Sequence, residues 1–158
     1  MLAKRDYLNK MNLRNRDNTD ISEYNCGGLA LNTFSWYKPY KGEEDEMDEL
    51  IWDFAYEYRD IDKIANKMAQ YYISVMLEEF ENLRLLSNPD EVTEGERLIA
   101  FRVSCEPLSY CKDPNDMDDR EIDSMEFETD FHFRYYEGGH WREKTGQTRI
   151  RMCDKEMA

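Results

Sequence analysis

The spacing of apolar residues changes character along the chain, helical at first and strand-like later. A first helix is predicted from near Cys26 to about Tyr37. Leu29, Ala30, Leu31, Phe34 and Trp36 make it apolar on most sides, as in a buried central helix, and Lys38-Pro39-Tyr40-Lys41-Gly42 ends it. A second helix opens at Glu43-Glu44-Asp45-Glu46, where carboxylates suit the positive end of the helix dipole. It carries Leu50, Ile51, Phe54 and Tyr58 at helical spacing. A third is predicted from Ile61 to about Leu86, with Ile64, Met68, Tyr71, Tyr72, Val75, Met76 and Phe80 in one stripe. Its methionines and tyrosines could line a ligand groove, although core packing is the commoner reason for such a stripe.

Ser87-Asn88-Pro89-Asp90 and Glu94-Gly95-Glu96 break the helical pattern, and residues 97–105 then read as a central strand. The stretch from Pro107 to Ser124 is long, acidic and irregular, suited to one rim of a cleft. Residues 125–136 predict a long strand, and Gly138-Gly139 a two-residue hairpin turn. Residues 140–144 return, and residues 148–153 make a last strand. Residues 1–22 read as a polar N-terminal arm, irregular apart from a short helix around Asp6–Leu13, and residues 23–158 as one α+β domain.

Composition narrows the function classes. Asp and Glu number 35 against 21 Lys and Arg, a net charge of −14, so direct nucleic-acid binding is not expected. The same acidity suits a DNA-like decoy for a basic protein partner. The four cysteines form no C-x-x-C pair and no zinc-ligand spacing, so neither a metal nor another cofactor is implied. Met1–Asp6 lack the apolar core of a signal peptide, and no stretch approaches a membrane span. A cytoplasmic protein with reduced thiols, and no membrane partner, is expected.

Cys26 stands where a loop turns into the first helix. There it is either a core thiol or a nucleophile whose thiolate the helix N-terminus favours. Backbone N–H groups at Cys26 and Gly27 would serve an oxyanion, and Asn25 could add a donor. His132 alternates with Phe131 and Phe133, so it shares a face with Asp130 and Arg134. It is either a base presented to a cleft or a structural histidine. If Glu137 pairs with His140, Arg134 lies opposite Glu143, and Glu143 comes one diagonal step from His132. Glu143 would then orient the imidazole or simply pair with Arg134; Asp130 and His140 are competing orienters.

Three blocks carry a resemblance: Asn25-Cys26-Gly27-Gly28-Leu29-Ala30-Leu31, Asp130-Phe131-His132-Phe133-Arg134-Tyr135 and Trp141-Arg142-Glu143-Lys144-Thr145-Gly146. In type and order they resemble motifs of small bacterial and phage cysteine hydrolases of the papain-like superfamily, akin to NlpC-type cell-wall peptidases. The blocks cover about a third of the chain and leave out its helical middle. Glu143 departs from the motif, which has histidine there. The resemblance implies a papain-like α+β fold, with a central helix bearing the cysteine packed on an antiparallel sheet. It implies Cys26 as nucleophile and His132 as base in acyl transfer from a peptide, isopeptide or cell-wall amide. Glu143 and Asn25 would assist, with Tyr24, Gly27, Asp130 and Trp141 beside the substrate. The rival expectation is a non-enzymatic, acidic phage-type inhibitor or DNA mimic for a basic nucleic-acid-handling partner.

Overall fold

In the computed structural model, which describes residues 1–5, 22–107, 118, 120 and 127–153, the chain opens with a strand rather than an irregular arm. Strand β1 (Leu2–Arg5) lies inside a six-stranded sheet between β2 (Leu83–Leu85) and β3 (Glu96–Pro107). It is antiparallel to both, with Leu2 opposite Leu85 and Ile99, and Lys4 opposite Leu83 and Arg97. Leu2 and Ala3 are fully buried, a reward that four residues of mixed polarity do not announce. The helix expected around Asp6–Leu13 lies outside the described residues, as does almost all of the expected cleft rim.

The sheet continues through β4 (Phe127–Glu137), β5 (His140–Glu143) and β6 (Arg151–Met152). The hairpin has the register that a two-residue turn predicts: Glu137 opposite His140 and Arg134 opposite Glu143. Gly138 and Gly139 take φ of 61° and 83°, values that L side chains rarely adopt.

The helices are α1 (Cys26–Ala30), α2 (Glu44–Tyr58) and α3 (Ile61–Glu79). Helix α2 matches its pattern and ends on Arg59 in the left-handed region. Helix α3 starts as predicted but stops seven residues early, because residues 83–85 are drawn into the sheet edge beside β1. Helix α1 is five residues long, so no helix extends to Tyr37. Leu31 caps it, and Asn32 and Phe34 follow with φ of 58° and 50°. Thr33 and Phe34 N–H both donate to the Gly28 carbonyl, which folds the chain back over the helix. A Cβ on Gly28 would sit 1.9 Å from the Ser35 carbonyl oxygen, so this close return needs glycine.

The chain divides into two compact units. One comprises residues 1–38, 77–101 and 132–158; the other comprises 39–76 and 102–131. The first buries Leu2, Leu29, Leu31, Ile99, Phe133 and Tyr135. The second buries Met47, Ile51 and Ala55 of α2 with Ile64, Met68, Tyr72, Val75 and Met76 of α3.

Candidate functional site

The cysteine segment is held by Asn25. Its Oδ1 accepts from Gly28 N–H and Tyr37 N–H, both at 3.0 Å, and its Nδ2 donates to the Tyr37 carbonyl at 2.6 Å. It thereby caps α1 and ties the returning loop to it. These bonds give the Asn25 amide a structural task.

Three buried cations bind carbonyls of the same segment. Lys4 Nζ donates to the Leu31 carbonyl. Arg97 donates to those of Leu29 and Ala30 at 3.0 and 3.4 Å, and Lys144 Nζ donates to Tyr24 at 2.5 Å and to Gly146. Lys4 and Arg97 therefore sit on the last carbonyls of α1, at the negative end of its dipole. Aromatic faces cover all three: Phe80 under Lys4, Tyr135 under Arg97 and Tyr24 under Lys144. Lysine and arginine are normally read as surface residues, so no pattern in the sequence marks these positions.

Cys26, the first residue of α1, is only 7% exposed. Helix α1 lies against β5, and a Cβ on its Gly27 would meet Tyr37 at 2.9 Å and the Phe133 ring at 3.2 Å. The helix therefore packs on the face of β4 that carries Phe133 and Tyr135. Period-two alternation turns His132 and Arg134 to the other face.

On that other face Glu143 collects three partners. Its Oε2 accepts from Arg134 Nε at 2.7 Å and lies 2.7 Å from His132 Nε2; its Oε1 accepts from Arg151 Nε at 2.7 Å. The carboxylate is 1% exposed. Burial pushes its pKa up, but the bonds from His132, Arg134 and Arg151 outweigh burial and hold it at about 2. His132 and Glu143 are thus brought together, with the Arg134 pair present as well. The third partner, Arg151, comes from β6, opposite Glu143.

Tyr24 is 1% exposed, edge-on to Phe34. Trp141 packs edge-on against Tyr136, and its carbonyl accepts from Cys153 N–H. Asp130 is exposed and bonds the N–H of Phe131. His140 is exposed at the hairpin end.

The second unit holds a half-open cavity of about 280 Å³. Tyr40, Tyr72 and Phe131 line it, together with Glu44 and Asp48 of α2 and residues 128 and 129 of β4. Tyr72 is central, with ring centroids 6.2 Å from both Tyr40 and Phe131. It is 2% exposed, and burial raises its phenol pKa. The tyrosine of the α3 stripe thus belongs to the core and to a cavity wall at once. Among the described residues, no group of histidine, cysteine and carboxylate side chains could hold a metal ion. No helix of the described residues is long and apolar enough to cross a membrane. Comparison with family models, with curated proteins and with solved structures finds no match for this chain.

Proposed function

We propose that this protein acts by binding, presenting a polyanionic helix to a basic protein partner of the kind that handles nucleic acid. One observation carries the reading: between Lys41 and Arg59 the chain has no cationic residue, while every carboxylate of α2 is exposed. Asp45, Glu49, Asp53 and Glu57 recur every fourth residue and form a negative ladder along one side of the helix. On a chain of net charge −14, such a ladder offers a basic groove regularly spaced charge in place of phosphates.

The test uses an arginine-rich peptide as probe. Its affinity is expected to fall about tenfold or more between low and physiological salt, and again in the triple variant Asp45→Asn, Glu49→Gln, Asp53→Asn. Cys26→Ala should bind as the wild type does. Binding that ignores both salt and the triple variant would overturn the reading.

The second reading is the papain-like, NlpC-type cysteine hydrolase acting on a peptide, isopeptide or cell-wall amide. The His132–Glu143 contact at 2.7 Å, the pairing a general base and its orienter need, favours it. The nucleophile weighs against it, since Cys26 is buried in a helix packed on the opposite face of β4. Loss of a hydrolytic activity in both Cys26→Ala and His132→Ala would put this reading first.

A further inference from the structure

We propose that the cavity beside the first turns of α2 receives an arginine side chain of that partner. This rests on the polyanion reading above and names the point where charge attraction becomes a specific contact. The cavity combines two chemistries that a guanidinium satisfies together. The part-exposed Tyr40 and Phe131 supply aromatic faces, with Tyr72 packed behind them, and a planar, weakly hydrated cation stacks on such faces. Glu44 and Asp48 of α2 line the same space and offer acceptors to the five N–H donors of the fork. Among the described residues, none that lines the cavity is basic. At about 280 Å³ it falls below the usual range for drug-sized ligands and suits the end of one long side chain.

The walls are held in place before any ligand arrives. Tyr72 is packed into the core of its unit and hydrogen-bonded to Thr129, so its ring is fixed. Tyr40 stands in the loop before α2. There Gly42, at φ 94°, lets Glu46 fold so close that a Cβ would meet its Oε2 at 2.0 Å. A lysine ammonium is a compact, strongly hydrated point charge that gains less from ring faces, so the cavity discriminates arginine from lysine.

Two peptides of equal length and charge, one of arginine and glycine and one of lysine and glycine, test this by calorimetry on the full chain. The arginine peptide is expected to bind about tenfold more tightly and to shift the aromatic NMR signals of Tyr40 and Tyr72. Tyr40→Ala, and separately the exposed pair Glu44→Gln with Asp48→Asn, should erase the preference while the lysine peptide still binds. The carboxylate pair carries the test if Tyr40→Ala does not fold. Equal affinity for both peptides, or a preference that survives these variants, overturns the arginine site and leaves the polyanion reading standing. Failure of both peptides to bind overturns both.

Discussion

The two faces of the hairpin strands handle buried charge in opposite ways. On the Phe133 face, Lys4, Arg97 and Lys144 donate hydrogen bonds to carbonyl groups of the cysteine segment and lie over aromatic rings. On the His132 face, a buried carboxylate gathers two arginines and a histidine. The first arrangement sets a cation against neutral dipoles and shapes a loop. The second sets charge against charge and ties β4, β5 and β6 together through one side chain. Adjacent charged residues, Glu143 at the end of β5 and Lys144 just past it, thus do different jobs because they meet different surroundings. Helix α1, which begins at Cys26, packs on the Phe133 face, while alternation turns His132 to the other.

Glu143→Ala should have the largest effect, about 3 kcal/mol at neutral pH, since it leaves the largely buried Arg134 without its carboxylate, while the exposed Arg151 returns to water. Urea unfolding measures it. The carboxyl sits at about 2 against an ordinary 4.5, so its stabilisation is complete above the ordinary value and disappears as pH falls from about 4.5 to about 2. Wild type and Glu143→Gln should therefore converge across that window. A constant gap would mean that the carboxylate acts by packing alone.

Lys144→Met should cost less, about 1–3 kcal/mol, the worth of hydrogen bonds from a charged donor. Its difference from wild type should stay flat over the same acid window, because the Tyr24 and Gly146 carbonyls do not titrate. If Lys144→Met followed the Glu143 profile, the two faces would form one coupled network and the contrast would fail.

Cys26→Ala should matter least, about 1 kcal/mol or less, for the loss of one small buried group. Iodoacetamide should modify the half-buried Cys153 before Cys26 or Cys105, both of which are buried. Burial, then the neighbouring charge of Glu106, also pushes the Cys105 thiol up to about 11. Preferential labelling of Cys26 would bring the hydrolase reading forward.

Much of this molecule follows from local pattern. Helix α2, the start of α3, strands β3 and β4, and the hairpin register are determined by periods of 3.6 and 2 and by Gly138-Gly139. Within that register, the meeting of His132 with Glu143 is a local consequence, since both residues lie within one hairpin. What spans a long stretch of sequence was decided elsewhere. Leu2–Arg5 became a strand only because two distant segments flank it. Helix α1 stopped at Ala30 because Asn25 reached Tyr37, and because Lys4 and Arg97 took up its last carbonyls. The face on which a five-residue helix settles depends on what it can bury and which buried groups it can satisfy. Those partners come from three separate places in the chain, Phe133 and Lys144 from the hairpin, Arg97 from β3 and Lys4 from β1, and only the tertiary structure brings them to one side of the sheet.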